Sequence, residues 1–285
     1  MKAERITAPI AWHGEGPLWD AARNRLLMVD MMAGVVIDGA DVDAPVRHTV
    51  GTVAAALRPR ATGGYVIAVE HEFLLVDDAL AVEHRSVDVV GDSAIRMNDG
   101  GCDPQGRFYC GTMAYAETPG AGTMYCIEPD GTTREVFDGV TISNGLQWSA
   151  DGALAYYNDT PTGRIQVFDF DGSDGSFHNS RTFAEIGDGV GLPDGMTIDA
   201  DGGVWTALWG GGALRRYDAS GTLTEVVEVP GVTNTSACAF GGVDLKTLFI
   251  TTSRQGIPDG EQPDAGCLFA VEPGVRGRAL PVFAG

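Results

Sequence analysis

Residues 98–112 read NDGGCDPQGRFYCGT, and the same frame recurs as NGLQWSADGALAYYN over 144–158, DGMTIDADGGVWTAL over 194–208 and EGPLWDAARNRLLMV over 15–29. In each copy a polar residue stands five positions before a turn, and a short apolar run follows that turn. The leading residues are Asn98, Asn144, Asp194 and Glu15. A unit that recurs in this way indicates a repeat architecture, in which equivalent residues occupy equivalent places.

Six apolar runs divide the chain into units of about 40 to 50 residues, a period typical of repeat folds. Each run is rich in β-branched and aromatic residues and is bounded by Gly, Asp or Pro, which is the pattern of a β-strand. Sustained helical periodicity is missing from the sequence. Six units of three or four short strands predict an all-β, six-bladed β-propeller that forms a single domain over 1–285. The runs begin at Leu26, Tyr65, Arg107, Ala153, Gly203 and Thr247.

The last unit is shorter than the others. After TLFITT at 247–252 the chain offers CLFAVEP at 267–273 and then only RALPVFAG, whereas the opening ERITAPIAW at 4–12 has no unit of its own. A propeller with a missing outer strand would leave sheet edges open. We therefore expect the N-terminal strand to join the last blade and close the ring.

Composition narrows the functional classes. The 285 residues carry a formal net charge of −20 and 44% hydrophobic residues. Such an acidic surface repels phosphate backbones and anionic lipids, so neither nucleic acid nor membrane is an expected partner. The five cysteines form no CxxC pair, and the N-terminus lacks the apolar core of a secretory signal. We expect a cytoplasmic protein, and the sequence leaves its oligomeric state open.

The leading residue of each unit should lie on the innermost strand of a blade, where it lines the central channel. Carboxylate and amide oxygens then converge on one axis and form a set suited to a divalent cation such as Ca²⁺, Mg²⁺ or Mn²⁺, with Fe²⁺ and Zn²⁺ as alternatives. The competing interpretation is that these groups bind channel waters, since Asn-Gly and Asp-Gly are common turn pairs. The six equivalent positions are Glu15, about Val53, Asn98, Asn144, Asp194 and about Ser236.

Several neighbouring residues allow two interpretations each. Arg96 would bind an anionic or hydroxyl-rich ligand, or form a surface salt bridge. Asp159 would orient Asn144 or a water, or cap a turn, and Trp209 would form a pocket wall or pack within its blade. Asp99 is expected to face away from the channel and cap a turn.

His13 precedes Glu15 by two positions, and the chain contains neither HxxxH nor HExxH. We therefore assign no histidine to the metal.

These stretches also match a known family. HGEGPLWD at 13–20, RMNDGGCDPQGRFYCGTM at 96–113, SNGLQWSADG at 143–152 and PDGMTIDADGGVW at 193–205 occur in family order. The chain resembles the senescence marker protein/gluconolactonase/luciferin-regenerating enzyme family, whose regucalcin-like six-bladed propellers include sugar lactonases. The resemblance implies that Glu15, Asn144 and Asp194 bind one divalent metal ion, that Arg96 and Asn98 contact substrate, and that Asp194 doubles as general base.

One departure from the family concerns the residues after GTM. Some members place a glutamate there that contacts sugar hydroxyls, whereas this chain has Ala114, Tyr115 and Ala116 and only then Glu117. Tyr115 or Glu117 is expected to take its place in binding substrate.

The resemblance and the oxygen donors together predict a metal-dependent hydrolase that opens the ring ester of a sugar lactone such as glucono-, xylono- or arabinono-lactone. A phosphotriesterase-type metal hydrolase and a non-catalytic calcium-binding propeller are the alternatives, because a fold does not fix a function.

Overall fold

The strands form six antiparallel sheets of four strands each in the computed structural model, which describes residues 1–39 and 44–285. After β1 (Glu4–Arg5), blade 1 contains β2 (Gly14–Asp20), β3 (Arg25–Asp30), β4 (Val35–Asp38) and β5 (Val46–Thr49), and blade 2 contains β6 (Ala54–Pro59), β7 (Tyr65–Val69), β8 (Phe73–Val76) and β9 (Val82–Arg85). Blade 3 contains β10 (Ile95–Cys102), β11 (Phe108–Ala114), β12 (Gly122–Ile127) and β13 (Thr133–Val140), and blade 4 contains β14 (Ser143–Trp148), β15 (Leu154–Asp159), β16 (Arg164–Asp171) and β17 (Ser176–Glu185). Blade 5 contains β18 (Leu192–Ile198), β19 (Val204–Trp209), β20 (Ala213–Tyr217) and β21 (Leu223–Glu228), and blade 6 contains β22 (Thr235–Gly241), β23 (Thr247–Thr252) and β24 (Phe269–Val271).

Each innermost strand contacts the innermost strand of the next blade, and β22 contacts β2, so the six blades form a ring. The predicted six-bladed β-propeller is confirmed. Two short 3-10 helices, Met31–Ala33 and Thr160–Thr162, interrupt the strands. In the part of the chain that the structure describes, no helix has the length and apolar character needed to cross a membrane.

The ring closes as the sequence predicted. In blade 6 the strand order is β1-β24-β23-β22, with Glu4 opposite Ala270 and Arg5 opposite Phe269. The N-terminal segment also reaches blade 5, where the backbone N–H of Ala3 donates to the carbonyl of Glu228 at 2.9 Å. A strand from the start of the chain therefore covers an edge that the end of the chain leaves open.

Apolar side chains from neighbouring blades fill the space between the sheets. Trp205 of blade 5 meets Phe240 of blade 6 edge to face, with ring centroids 6.0 Å apart. Tyr109 of blade 3 packs against Trp148 of blade 4 at 5.4 Å. These contacts hold each blade to the next, because a single four-stranded blade cannot bury both of its faces alone.

Every innermost strand carries a register shift at the same level. The shifts lie between Glu15 and Leu18, Met97 and Asp99, Asn144 and Leu146, and Pro193 and Met196, with equivalents in β6 and β22. A β-bulge sets two residues against one and redirects side chains. The predicted site residues sit at or beside these bulges, so the repeat aims them at the channel.

The bulge in β14 requires glycine. Gly145 has φ +36°, and a Cβ there would lie 2.8 Å from the carbonyl oxygen of Asp194 and 2.9 Å from Asn158 Nδ2. The absence of a side chain lets blades 4 and 5 approach closely at the channel.

Candidate functional site

A cavity of about 320 Å³ opens at the end of the central channel where the innermost strands begin. It brings together side chains from strands that are far apart in the sequence. Tyr115 is the one predicted substrate-binding residue that lies outside it. The predicted residues that line it are Glu15, Arg96, Asn98, Glu117, Asn144 and Asp194.

Glu15 and Asp194 are two buried carboxylates, with exposed fractions of 4% and 3%. Burial, reinforced by the nearby charge of Asp99, raises the pKa of Glu15 to about 8, although the Gly16 N–H and Arg96 act in the opposite direction. Burial, followed by the charges of Glu15 and Asp99, raises the pKa of Asp194 well above its ordinary value. Two carboxylates so placed repel each other unless a proton or a cation lies near them.

Asp194 is held by its backbone, which leaves its carboxylate available. Asn158 Nδ2 donates to the carbonyl oxygen of Asp194 at 2.6 Å and to Thr206 Oγ1 at 3.1 Å. The carboxylate oxygen Oδ1 is buried and has no hydrogen-bond partner among the described residues. A buried carboxylate oxygen without a protein partner is suited to bind a cation or a water molecule.

A directed chain of hydrogen bonds crosses the cavity wall from blade 3 to blade 5. Arg96 Nη1 donates to Asn98 Oδ1 at 2.6 Å, and Asn98 Nδ2 donates to Asn144 Oδ1 at 3.0 Å. Asn144 Nδ2 donates to Thr160 Oγ1 at 2.8 Å, and that hydroxyl donates to the carbonyl oxygen of Pro193 at 2.8 Å. Because the Thr160 proton is committed to a carbonyl, Thr160 accepts from Asn144 and so fixes which end of the amide is oxygen.

The donor set fits a hard divalent cation. Glu15 and Asp194 supply carboxylate oxygens, and Asn144 Oδ1 keeps a second lone pair beyond the one that Asn98 uses. Oxygen-only sets of this type suit Ca²⁺, Mg²⁺ or Mn²⁺. No group of three or more His, Cys, Asp or Glu residues that could hold a metal ion assembles in the described ranges, and the set named here has two carboxylates and one amide.

Arg96 is buried beside this set, and burial lowers its pKa from the ordinary value. Its guanidinium also donates to Met31 Sδ at 3.2 Å and lies 5.8 Å from the centroid of the Tyr115 ring. Tyr115 occupies an adjoining pocket of about 250 Å³, where its hydroxyl donates to Glu70. Glu117 borders both spaces and adopts the left-handed conformation, with φ +52°.

Two neighbouring residues resolve into definite roles. Trp209 lines the cavity, as one of its two interpretations predicted. Asp159 accepts from the backbone N–H groups of Thr141 and Ile142 at 2.8 to 3.2 Å, so it caps the connection between β13 and β14 rather than touching Asn144.

The expectation that Asp99 caps backbone N–H groups was right, whereas the expectation that it faces away from the channel was wrong. Its carboxylate accepts from Gly100 N at 2.7 Å and from Gly145 N of the next blade at 2.9 Å, and its charge raises the pKa of both Glu15 and Asp194. The strict alternation of a regular strand would have turned Asp99 away from the channel side of Asn98. The bulge between Met97 and Asp99 breaks that alternation.

Three polar residues of the cavity were not predicted as site residues from the sequence: His13, Thr160 and Gln255. His13 stands two positions before Glu15, a spacing that puts both side chains on one face of an extended strand and that carried the available signal. Burial, helped by the charge of Arg96, lowers the pKa of His13 to about 3 despite the opposing effect of Asp30. Thr160 gave no such signal, because it lies in the 3-10 helix after β15 and reaches Asn144 only through the fold.

Comparisons with known proteins agree with this fold over the whole chain. Regucalcin from Bos taurus is 36% identical over 295 aligned residues, which cover 99% of this chain and 98% of that protein. The solved structure of a calcium-binding protein, regucalcin from Agrobacterium tumefaciens, superimposes with a TM-score of 0.92 at 27% identity, covering 100% and 98% of the two chains. A luciferin-regenerating enzyme gives a TM-score of 0.88 at 27% identity, covering 99% and 100%. The family described as SMP-30/Gluconolactonase/LRE-like region matches residues 13–254, and the chain therefore belongs to that family.

Proposed function

We propose that the protein is a metal-dependent hydrolase that opens the ring ester of a small sugar lactone. The single observation that carries this proposal is the meeting of two buried carboxylates, an amide oxygen and a buried arginine in one cavity. The family description names gluconolactonase, and the related structure from Agrobacterium tumefaciens is described as calcium-binding. Both support a lactone substrate and a divalent cation.

Glu15, Asn144 and Asp194 would hold the cation. A divalent ion bound there would polarise the lactone carbonyl and stabilise the negative charge that develops on its oxygen. The unpartnered Oδ1 of Asp194 supports this assignment, as does the fixed orientation of the Asn144 amide.

Asp194 acts as the general base in this mechanism. Its carboxylate accepts a proton from a water molecule as the water oxygen forms a bond to the carbonyl carbon of the lactone. The ring C–O bond then breaks, and the proton passes to the released alkoxide. The product is an open-chain hydroxy acid, with one water consumed and no net change in the protein.

Arg96, Asn98 and the mouth of the cavity bind the substrate. Arg96 offers guanidinium donors, and Asn98 is locked between Arg96 and Asn144, so both present fixed polar groups to a hydroxyl-rich ring. Glu117 can accept from a sugar hydroxyl at the mouth, and Tyr115 would contact only a substrate that extends into the adjoining pocket. This arrangement favours glucono-, xylono- and arabinono-lactone as test substrates.

The test is lactone hydrolysis by chelator-stripped protein that is resupplied with each divalent ion in turn. We expect activity to vanish on stripping and to return with at least one ion. Asp194→Asn should lower kcat by about 10²-fold or more, in the range of lost general-base catalysis. Asp201→Asn, an exposed residue in the same blade, is the matched control and should retain activity. No hydrolysis with any ion would contradict the proposal.

A calcium-binding propeller without catalysis is the second candidate, and the calcium-binding description of the Agrobacterium tumefaciens relative favours it. Calorimetric calcium binding that is lost in Glu15→Gln, without turnover of any lactone, would support it. Phosphotriesters belong in the same panel, because a phosphotriesterase-type enzyme would hydrolyse them in preference to lactones.

A further inference from the structure

His13 contributes a polar group to the cavity that the mechanism above does not use. It precedes β2 and forms an isolated antiparallel bridge with Ser253, just after β23, so it lies where blades 1 and 6 meet. Its ring nitrogen Nδ1 lies 2.6 Å from Ser253 Oγ. The exposed fraction of His13 is 5% and that of Ser253 is 0%.

The hydrogen bonds of Ser253 determine the tautomer of His13. Ser253 Oγ accepts from the backbone N–H of Gln255 at 3.0 Å, and its hydroxyl proton has no acceptor other than His13 Nδ1 among residues 1–39 and 44–285. If Nδ1 carried a proton, the buried hydroxyl proton would be left without an acceptor, and an unpaired buried donor is unfavourable. Ser253 therefore donates to Nδ1, and the proton of the neutral imidazole resides on Nε2.

The Nε2–H group is free and faces the cavity. No hydrogen-bond partner of Nε2 lies in the described part of the chain, yet the atom is not fully enclosed by protein. Because His13 lines the cavity, the cavity is the space that this N–H group meets. Both the backbone and the ring of His13 are held in place. Asp30 Oδ1 accepts from the backbone N–H of His13 at 3.0 Å, and Trp209 contacts the imidazole edge to face at 5.8 Å.

We propose that His13, fixed as the Nε2–H tautomer by Ser253, donates a hydrogen bond to a hydroxyl oxygen of the bound lactone. This contact rests on the proposed lactonase function and deepens it. Arg96 and Asn98 hold the substrate from blade 3, whereas His13 holds it from the junction of blades 1 and 6. A neutral imidazole N–H is a donor only and a very weak acid, so His13 positions the substrate and transfers no proton.

The proposal also restricts the substrate. A site with a fixed, buried donor discriminates against an analogue that lacks the matching hydroxyl, because the donor is then left unpaired. Binding of the lactone should therefore depend on one hydroxyl of the sugar ring, the one that accepts from His13. A deoxy-lactone without that hydroxyl should bind poorly.

The tautomer is tested without any activity measurement. Two-bond ¹H–¹⁵N correlation spectra of ¹⁵N-histidine-labelled full-length protein distinguish the Nε2–H, Nδ1–H and charged forms, and His13→Gln identifies the His13 signals. We expect Nε2–H in wild type and a loss of this preference in Ser253→Ala. An Nδ1–H or charged ring in wild type at neutral pH overturns the proposal, whether or not lactones are hydrolysed.

The substrate contact is tested with two variants and a series of deoxy-gluconolactones. His13→Met removes the donor at similar size and should raise KM about tenfold, equivalent to about 1.4 kcal/mol, with kcat changed less than about threefold. His13→Gln keeps an N–H near the position of Nε2 and should stay within about threefold of the wild-type KM. One deoxy-lactone should be a poor substrate for wild type. For His13→Met the same deoxy-lactone should be no worse a substrate than the parent lactone, as a double-mutant cycle requires.

Binding of D-gluconate, measured by calorimetry on ion-loaded protein, separates this proposal from the lactonase proposal. Weaker gluconate binding in His13→Met than in His13→Gln supports the contact even if no lactone is hydrolysed. Equal binding by wild type and both variants overturns it, as does a His13→Gln variant that behaves like His13→Met in both KM and gluconate affinity. A failed lactone panel by itself contradicts only the lactonase.

Discussion

Glu15 and Asp194 are buried carboxylates, and the pKa of each is raised by burial and by its nearness to other acidic groups. Their carboxylates share a buried cavity. The Glu15 carboxylate accepts from the backbone N–H of Gly16, whereas the Asn158 amide donates to the backbone carbonyl of Asp194 and not to its carboxylate. Carboxylates in a cleft whose pKa values are strongly shifted are typical of functional sites, whereas core residues are selected for packing. The pair therefore links the proposed ion binding to the stability of the protein.

The first prediction concerns the stability of the ion-free protein against pH. The pKa of Glu15 rises from 4.5 to about 8 on folding, so the folded state binds more protons in this window and stability falls as pH rises through it. The pKa of His13 falls from 6.5 to about 3 on folding, so the unfolded state binds more protons at this residue and stability rises with pH between these values. This gain levels off above pH 6.5. The two oppose each other between pH 4.5 and 6.5. Between pH 6.5 and 8 the loss of the Glu15 proton should lower the free energy of unfolding by about 1.5 kcal/mol, at 1.36 kcal/mol per pH unit while that proton stays bound, and the raised pKa of Asp194 acts in the same direction.

Urea denaturation of chelator-treated protein at pH 6.5 and pH 8 measures this drop. Glu15→Gln should flatten the dependence, and saturating Ca²⁺ should stabilise wild type more at pH 8 than at pH 6.5. A slope that is the same in wild type and Glu15→Gln would show that another group is responsible.

The second prediction concerns the orientation of the Asn144 amide. Thr160→Val preserves the shape of the side chain but leaves Asn144 Nδ2 and the Pro193 carbonyl without their partner. We expect the affinity for the divalent ion to fall by about 10- to 100-fold, as for other residues that orient a metal ligand. Calorimetric titration measures it, and Thr160→Ser, which keeps the hydroxyl, should bind within about threefold of wild type. Equal affinity in Thr160→Val would rule out this role.

At the scale of elements, the repeated turns explain how the innermost strands are held in register. Asp20, Asp103 and Asp199 occupy the same place after the first strand of blades 1, 3 and 5, and all three are buried. Each side chain accepts backbone N–H groups of its own turn, as Asp199 does from Asp201 at 3.0 Å and Gly203 at 2.7 Å. The turn aspartate thus joins the first two strands of its blade.

The third prediction tests one such turn. Asp199 Oδ2 also accepts from Trp205 Nε1 at 2.9 Å and from Arg216 Nε at 2.7 Å. Asp199→Ala leaves a buried indole N–H and a partly buried guanidinium unpaired, so we expect a loss of about 3–5 kcal/mol in the free energy of unfolding. Chemical denaturation measures it. Asp201→Ala, an exposed change in the same turn, should stay within about 0.5 kcal/mol of wild type. Equal losses in both variants would contradict the role assigned to Asp199.

At the scale of the whole molecule, the ring is what makes a site from distant residues. Glu15, Asn144 and Asp194 belong to blades 1, 4 and 5, and no two of them are neighbours in the sequence. Their common level on the channel follows from the shared bulge, but their mutual approach requires a closed circle of blades. Anything that opens the ring should therefore weaken ion binding as well as stability.

The fourth prediction follows from this closure. Removing residues 1–5 deletes β1 and exposes the edge of β24, so we expect a lower unfolding midpoint, faster hydrogen exchange at Phe269–Val271 and weaker ion binding. The control is Lys2→Ala combined with Arg5→Ala, which removes the surface ion pairs to Glu228 and Asp264 and should cost no more than about 1 kcal/mol per pair. An unchanged midpoint and unchanged exchange in the truncated protein would show that the ring does not depend on β1.

The residues that sequence reasoning placed well are those that the repeat itself marks. Glu15, Asn98, Asn144 and Asp194 share one register before one turn, so period and turn chemistry located them together. Asp99 was misplaced because a bulge, which the sequence pattern does not reveal, breaks the alternation of β10. Tyr115 and Glu117 lie on the connection after β11, where backbone conformation, and not periodicity, determines which side chain reaches the cavity.

The sequence by itself determined the number of blades, the level of the polar ring and the use of the N-terminus to close it, because short-range patterns of strands and turns repeat along the chain. Which side chains meet at the channel, how the Asn144 amide is oriented and that His13 pairs with Ser253 beside the cavity follow only from the tertiary structure. Those facts depend on hydrogen bonds between residues such as His13 and Ser253, which are separated by 240 positions. Local pattern encodes the repeating unit, whereas long-range hydrogen bonding and burial set the chemistry of the site.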